Sequence, residues 1–276
     1  MLTPPNRHPL MHPTKKAFPA VLAAAFSLII ALGAAEPRFL ATEPEAFIAL
    51  IPPPPTDDSP AGLADIETLL QVQKDRTPGQ AARAGRIHEH TAMSIGAEVF
   101  GPEFTAENLP RTSAILERAD DERDAVIEAV KDHWKRPRPY IRNPAVKPCV
   151  KLPLDTSYPS WHSTSGAVWT ALLSEAMPEY KAAFHEEMRE TMWCRVLAGV
   201  HYPTDTQAGR MLGGIIAVEM LKNQSTQDAV KVMRAEILEF IKTHPAAADR
   251  GKKAAKKNRS EATKENRAAR QFKKQV

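Results

Sequence analysis

Apolar residues recur every three to four positions through most of the chain, which is the period of an amphipathic helix. The first run follows Ser59 and consists of Leu63, Ile66, Leu69, Leu70 and Val72. Further helices are expected to start at Thr77-Pro78 (ending at about Phe100), Pro110 and Asp120, and near His162, Pro178, Pro203 and Gln227. No alternating strand pattern persists and no long repeat is visible. The pattern predicts an all-α, single-domain helical bundle over residues 61–246.

The N-terminus has the pattern of a secretory signal peptide. Lys15 and Lys16 precede an apolar run over residues 17–32, which ends in small residues. A positive flank, a short apolar run and a small-residue exit are typical of a segment that is removed during export. The alternative is an uncleaved membrane anchor, but the run is shorter than the ~20 residues of a spanning helix. We therefore expect residues 1–35 to be cleaved and the protein to reach the periplasm without a membrane span.

The segment between this leader and the helical pattern is rich in proline. Residues 36–60 contain the run Ile-Pro-Pro-Pro-Pro at 51–55. Because proline fixes φ and removes an amide donor, we expect an extended, non-helical segment. It is either a mere linker or, as its apolar Phe47, Leu50 and Ile51 indicate, a segment that packs on the domain.

The C-terminal residues 247–276 are rich in Lys and Arg and poor in apolar residues. Such a segment cannot bury enough surface to fold alone, which favours a disordered, solubilising tail. Binding of the tail to an anionic surface or to nucleic acid is the alternative, although we expect no nucleic-acid partner.

The amino-acid composition excludes few classes of function. A hydrophobic content of 43% and a charged content of 25% are those of an ordinary globular protein. The formal net charge of +4 lies mostly in the C-terminal tail and identifies no partner. Cys149 and Cys194 are the only two cysteines. In an oxidising compartment they either form one disulfide or remain two free thiols.

Three short clusters combine residue types that suit the binding of an anion. They contain Lys131 and Arg138, then Ser160 and His162, and then Arg195, His201 and Asp205. Ammonium and guanidinium groups bind phosphate oxygens, and a helix that starts near His162 would add the partial positive charge of its N-terminus. Asp205 can fix the tautomer of His201 and leave the other ring nitrogen free to attack. Each residue alone has an ordinary structural explanation, but their joint order and tight spacing favour a site.

In this order and spacing the clusters resemble the signature of the type-2 phosphatidic acid phosphatase superfamily, which class A bacterial acid phosphatases and vanadium haloperoxidases share. The matching residues are Lys131, Arg138-Pro139, Pro159-Ser160, His162, Arg195, His201 and Asp205. The runs at 50–55 and 157–160 are similar to those of the secreted class A branch in particular. The resemblance covers roughly residues 40–225 and implies a helical bundle of the acid phosphatase/vanadium haloperoxidase type.

The resemblance implies a secreted acid phosphatase that hydrolyses phosphate monoesters through a phosphohistidine, with no metal or other cofactor. His201 would attack phosphorus, Asp205 would stabilise the imidazolium, and His162 would act first as acid and then as base. The phosphate would be held by Lys131, Arg138, Ser160, Arg195 and the backbone amide of Trp161. Since His162 has to start protonated and His201 neutral, we expect an acidic to near-neutral pH optimum. Phosphate monoesters and inorganic phosphate are the expected partners, and self-association into a homo-oligomer is left open.

Two positions depart from the signature. Trp161 stands where Gly is usual, and Cys194 stands where Ser is usual. Glycine lets its amide approach the phosphate closely, whereas the side chain of Trp161 must be placed elsewhere, for instance over the pocket mouth. Two alternatives follow: a vanadate-dependent haloperoxidase, because vanadate fits the same anion site, and an anion-binding protein that lost turnover through Trp161. A lipid phosphatase is less favoured, because that branch embeds its helices in the membrane.

Other polar and small residues receive no role in the chemistry. His88 and His90 point to different faces of a helix, so we interpret them as surface histidines. His133 lies close to Lys131 but outside the signature. Gly209, Gly213 and Gly214 indicate close helix packing.

Overall fold

The computed structural model describes residues 38–257, and all of their regular structure is helical. The predicted signal peptide, residues 1–35, lies outside the described part. Within 38–257, none of the helices combines the length and apolar character needed to cross a bilayer. Ten α-helices follow in chain order: α1 Pro60–Asp75, α2 Pro78–His88, α3 Ser94–Phe100, α4 Pro110–Trp134, α5 Pro139–Arg142, α6 Trp161–Ala176, α7 Lys181–Leu197, α8 Pro203–Lys222, α9 Gln224–Thr243 and α10, residues 245–257. The predicted all-α bundle is confirmed.

Proline and short polar side chains set most helix starts. Pro60, Pro78, Pro110 and Pro203 occupy the first positions of α1, α2, α4 and α8, where the missing amide hydrogen costs nothing. Ser59 caps α1 by accepting a hydrogen bond from the Gly62 amide at 3.1 Å. These starts are the ones that the sequence pattern predicts.

Two predicted boundaries are wrong. The expected start at Asp120 lies inside α4, because its carboxylate accepts hydrogen bonds from Arg123 and from Trp169 Nε1 instead of capping a helix. The helix expected from Pro78 to Phe100 is two helices, α2 and α3. They are separated by a turn in which the Thr91 amide donates to Ser94 Oγ at 2.9 Å.

Helix α6 runs through the centre of the bundle. Twelve of its sixteen residues are buried, and it packs against α4, α7, α8 and α9. A helix that is buried on all sides belongs to the core rather than to the surface layer. The N-terminus of α6, at Ser160, therefore opens inside the protein.

Glycines on α8 let its backbone approach α6 closely. A Cβ atom on Gly209 would lie 2.6 Å from the Ser160 carbonyl oxygen, and one on Gly213 would lie 2.8 Å from Ala167 Cβ. A Cβ atom on Gly214 would meet nothing within 4 Å. The predicted close packing is confirmed for Gly209 and Gly213 and is wrong for Gly214.

The proline-rich segment is not extended throughout. Residues Pro44–Leu50 form a 3-10 helix that packs against α4, and residues 52–56 lack regular structure. Phe47 and Ile51 are buried, whereas Leu50 is half exposed. The segment is therefore packed on the domain by two of its three apolar residues, and the expectation of a wholly non-helical segment is corrected.

The start of the C-terminal tail also lies later than predicted. Residues 247–257 belong to α10, and Ala247 is fully buried. A Cβ atom on Gly251 would lie within 2.9 Å of the rings of Phe100 and Tyr180, so this glycine packs directly on the aromatic core. Small residues thus anchor the first part of the basic segment. The rest of the predicted tail, residues 258–276, lies outside the described part.

We expect Gly213→Ala to lower the free energy of unfolding by about 1–3 kcal/mol, because the added methyl group overpacks the contact with α6. The next residue supplies a matched control. Gly214→Ala adds the same group where there is space, and helix propensity should stabilise it by up to about 1 kcal/mol. Urea denaturation of both variants tests this, and equal effects would contradict the close contact at Gly213.

Candidate anion-binding site

The predicted site residues come from four places in the chain that meet around the N-terminus of α6. Lys131 lies in the last turn of α4 and Arg195 in the last turn of α7. Arg138 lies just before α5, and His201 lies just before α8. Arg138 Nη1 lies 2.8 Å from His201 Nε2, which joins the first cluster to the third. The second cluster joins the third through the Ser160 amide, which donates to the Asp205 carbonyl oxygen at 3.1 Å.

Lys131 and Arg138 are bridged by a carboxylate that the sequence patterns did not indicate. Asp155 Oδ2 lies 2.8 Å from Lys131 Nζ, and Asp155 Oδ1 lies 2.6 Å from Arg138 Nη2. The Lys131 and Arg138 side chains are 9% and 3% exposed, whereas that of Asp155 is 51% exposed. Asp155 lies in the irregular proline-rich stretch after α5, where no spacing rule singles it out.

Arg195 is a buried cation with unused donors. Its side chain is fully buried, and Nη1 lies 3.3 Å from His88 Nδ1. Its Nε and Nη2 atoms have no hydrogen-bond partner among residues 38–257. Burial, together with the charge of Arg138, lowers the pKa of Arg195 to about 10, which still leaves it charged at neutral pH. A buried charge without partners is costly, so this arrangement fits a site that receives an anion.

His201 is held as a neutral imidazole with one nitrogen directed at the cations. Its Nδ1 lies 3.3 Å from Asp205 Oδ2, and its side chain is 2% exposed. Burial, followed by the charges of Arg138, Arg195 and Lys131, lowers the pKa of His201 well below its ordinary value. Because the Nδ1 hydrogen faces a carboxylate, Nε2 carries the lone pair. That nitrogen can act as a nucleophile.

Asp205 is held by a second buried cation that sequence reasoning missed. Its carboxylate accepts hydrogen bonds from the Tyr202 amide at 2.9 Å and from Arg136 Nη1 at 2.6 Å. Arg136 also contacts Asp65 Oδ2 at 2.9 Å through Nη2. Burial raises the pKa of Asp205 to about 6, and Arg136 opposes this rise. Arg136 therefore supports the ionised form of the residue that orients His201.

His162 lies in the first turn of α6, which is capped by Ser160. Ser160 Oγ accepts a hydrogen bond from the Ser163 amide at 3.4 Å, so this buried residue caps the helix. His162 Nε2 lies 3.2 Å from the His88 carbonyl oxygen. Burial and then the charge of Arg195 lower the pKa of His162 well below its ordinary value. His162 is thus neutral beside an unneutralised Arg195.

The interpretation of His88 and His90 as surface histidines is wrong. The end of α2 packs against α7, which brings the His88 ring beside Arg195 and stacks it on the His162 ring with centroids 6.0 Å apart. The His90 side chain is only 7% exposed. Helical periodicity could not reveal this, because α2 and α7 lie far apart in sequence. His133 is exposed, in line with its lack of a role.

Trp161 forms part of a cavity wall. Its Nε1 donates to Asp124 Oδ1 at 2.8 Å, and the Arg123 guanidinium lies 4.8 Å from its ring centroid. The adjoining cavity measures about 440 Å³ and is lined by Asp124, Ile127, Glu128, Lys131, Asp132, Asp155, Thr156 and Trp161. The indole is therefore directed towards α4, and it lines the same cavity as Lys131.

The two cysteines are free thiols in this structure. Cys194 Sγ lies 3.5 Å from Glu190 Oε1, and burial raises the pKa of the thiol to about 12. Of the two alternatives for Cys149 and Cys194, the structure has the unpaired thiols. Within residues 38–257 no group of three or more His, Cys, Asp or Glu side chains could hold a metal ion.

A family model matches the part of the chain that contains these residues. Residues 123–228, which include all eight predicted site residues, match the model of the PAP2 superfamily. A non-specific acid phosphatase of Salmonella typhimurium strain LT2 is 26% identical over 195 residues, which is 68% of this chain and 78% of the relative. One from Providencia stuartii is 25% identical over 203 residues, covering 71% and 82%.

Among solved structures, a bacterial vanadium-dependent iodoperoxidase aligns with a TM-score of 0.52 and 16% identity. The alignment covers 65% of this chain and 53% of that one, so the chain spans about half of that structure. At this identity the likeness concerns the fold alone.

We expect Arg136→Gln to lower the free energy of unfolding at pH 7 by about 3–5 kcal/mol, because it leaves two buried carboxylates without their shared cation. The pKa of Asp205, already raised by burial, should rise further. A carboxyl group whose folded-state pKa exceeds its unfolded value stabilises the fold at low pH and loses that contribution as the pH rises through the folded pKa. The loss should therefore be smaller at pH 5 than at pH 7.

Urea denaturation at both pH values measures the effect. Arg189→Gln is the control, because Arg189 forms an exposed pair with Glu186 and should change stability by less than about 1 kcal/mol. A loss for Arg136→Gln that is equal at the two pH values would contradict the coupling to Asp205.

Proposed function

We propose that this chain, which carries a PAP2 superfamily domain at residues 123–228, hydrolyses phosphate monoesters as an acid phosphatase. The observation that carries the proposal is Arg195, a fully buried guanidinium whose Nε and Nη2 have no partner among the described residues. Its charge acts on His201 together with those of Arg138 and Lys131, and after burial these charges lower the pKa of His201. The names of the relatives, non-specific acid phosphatases, support the same activity.

Binding of the phosphoryl group relies on fixed positive charge. Lys131, Arg138 and Arg195 hold its oxygens, because guanidinium groups offer paired donors and an ammonium adds a point charge. The first amides of α6, at Trp161 and His162, have no partners within the helix, and a helix N-terminus favours a bound anion. Ser160 fixes this helix end by capping it. Substitution of Gly by Trp161 leaves the amide available, since its indole is turned towards Asp124.

Transfer begins at His201. Its Nε2 lone pair attacks phosphorus, the N–P bond forms, and the bond from phosphorus to the ester oxygen breaks. The ring becomes an imidazolium that Asp205 stabilises through Nδ1, 3.3 Å away. Arg138, whose Nη1 lies 2.8 Å from Nε2, moves its hydrogen bond to a phosphate oxygen as the attack proceeds.

The leaving oxygen takes a proton from His162. The charge of Arg195 helps to keep the pKa of His162 low, so the negative charge of a bound phosphate ester raises it and loads the ring with a proton. His162 then accepts a proton from the water that attacks phosphorus, which releases inorganic phosphate and restores neutral His201. This two-step route uses only side chains of this chain and predicts activity that does not depend on a metal.

We expect wild-type protein to hydrolyse p-nitrophenyl phosphate in the presence of a chelator, with an optimum at acidic to near-neutral pH. His201→Ala should have no detectable turnover, because the covalent route is removed. His133→Ala is the matched control, since it removes an exposed imidazole near Lys131 and should keep wild-type activity. The measurement is product release across pH 4–9.

Equal activity of wild type and His201→Ala would exclude the phosphohistidine route. Phosphate binding without hydrolysis in the wild type would favour an anion-binding protein. Bromide-dependent halogenation after addition of vanadate would favour a haloperoxidase. An optimum above about pH 9 would contradict the assignment of His162 as the acid.

We further infer export to the periplasm, on the strength of the basic, apolar and small-residue pattern over residues 15–35. N-terminal sequencing of the protein recovered from a periplasmic fraction should start close after Ala35. Recovery of the full-length chain in the membrane fraction would favour the uncleaved anchor instead.

A further inference from the structure

We infer that Asp155 determines the affinity of the site for anions, because its carboxylate competes with the phosphoryl group for Lys131 and Arg138. This inference rests on the proposed function, in which those two cations hold phosphate oxygens. Asp155 is not a catalytic residue in this scheme: it sets how strongly substrate binds and how readily the product phosphate leaves.

The geometry of the two ion pairs carries the inference. Each oxygen of Asp155 serves one cation, with Oδ2 at 2.8 Å from Lys131 Nζ and Oδ1 at 2.6 Å from Arg138 Nη2. A phosphoryl group presents oxygens of the same charge type to the same donors. One set of donors cannot serve both anions fully, so binding of phosphate requires the carboxylate to withdraw.

The cations do not depend on this carboxylate for their positions. Arg138 Nε donates to the Asp155 carbonyl oxygen at 2.9 Å, and Arg138 Nη1 donates to the Val200 carbonyl oxygen at 2.8 Å. Lys131 Nζ also donates to the Thr156 carbonyl oxygen. Backbone acceptors therefore anchor both side chains, and these contacts remain when the carboxylate is replaced.

Exposure decides which partner moves. The Asp155 side chain is half exposed and follows Leu154, which is fully exposed, whereas the Lys131 and Arg138 side chains are buried. Asp155 can therefore move into water, which hydrates its charge. The buried cations have no such access to water. Burial raises the pKa of Asp155, but the charges of Lys131 and Arg138 outweigh burial and leave the pKa below its ordinary value. The competitor is thus ionised over the pH range in which phosphate binds.

The balance of charge in the site explains how this competition would help the product to leave. Lys131, Arg138 and Arg195 together carry three positive charges, and Asp155 offsets one of them. Without this offset the product phosphate would meet three uncompensated cations and would leave slowly. Return of the carboxylate to Lys131 and Arg138 offers these cations a replacement partner when the product departs.

We expect Asp155→Asn to bind inorganic phosphate about tenfold more tightly than the wild type, since ion pairs of this exposure are each worth a factor of a few. Asp155→Ala should show the same direction. Asp132→Asn is the control: Asp132 is an exposed carboxylate that lines the same cavity, so its loss makes the same change of net charge without removing the bridge. Titration calorimetry with phosphate as ligand gives the dissociation constants.

The increase in melting temperature on addition of phosphate provides a second measurement, and it should be larger for Asp155→Asn than for the wild type. Weaker binding by both Asp155 variants would overturn the inference, because it would mean that the carboxylate positions the cations. Unchanged binding, or an equal gain in Asp132→Asn, would overturn it as well. A wild type that hydrolyses p-nitrophenyl phosphate while Asp155→Asn shows no gain would sink only this inference, whereas a wild type without phosphate binding or hydrolysis would remove the proposed function too.

Discussion

Burial of positive charge is the constraint on which the rest of the structure depends. Arg136, Arg138 and Arg195 are nearly or fully buried, as are Arg123 and Lys131, in a protein whose core is mainly apolar. Each buried guanidinium needs acceptors or a ligand to offset the loss of water. Arg136 has Asp65 and Asp205, and Arg138 has Asp155 and two backbone carbonyls. Among residues 38–257, one donor atom of Arg136 (Nε) and two of Arg195 (Nε and Nη2) have no partner. Arg195 is thus the least satisfied of the three, which fits its proposed role of binding an anion.

The close approach of α6 and α8 brings the residues of the candidate site together. Gly209 and Gly213 remove the side chains that would separate the helices, and the Ser160 amide reaches the Asp205 carbonyl oxygen. The start of α6, with its unpaired amides, is thereby fixed against the start of α8, which follows His201. Small residues in the core thus fix the distance between the N-terminus of α6 and the proposed nucleophile, His201.

Local rules predicted much of this from the sequence. Proline positions and helical periodicity gave the starts of α1, α2, α4 and α8, and the residues of the signature converge in space as their spacing implies. The sequence could not reveal Asp65 beside Arg136, because the two residues are 71 positions apart and meet only after α1 has packed. For the same reason Asp155 escaped notice and His88 was interpreted as a surface residue, since their partners lie on other elements. The helix start predicted at Asp120 is wrong because its carboxylate accepts a hydrogen bond from Trp169, a tertiary partner, instead of capping a helix.

The position of the Trp161 indole in a cavity wall has a consequence for the fluorescence of the protein. Its indole lies in the wall of the cavity that contains Lys131 and Asp155, hydrogen-bonded to Asp124 and stacked against Arg123. Indole emission responds to nearby charge and to exposure to water. At the position where the signature usually has Gly, this chain carries an intrinsic fluorophore at the edge of its proposed anion site. We therefore expect the emission of Trp161, one of four tryptophans in the chain, to change when an anion occupies the site.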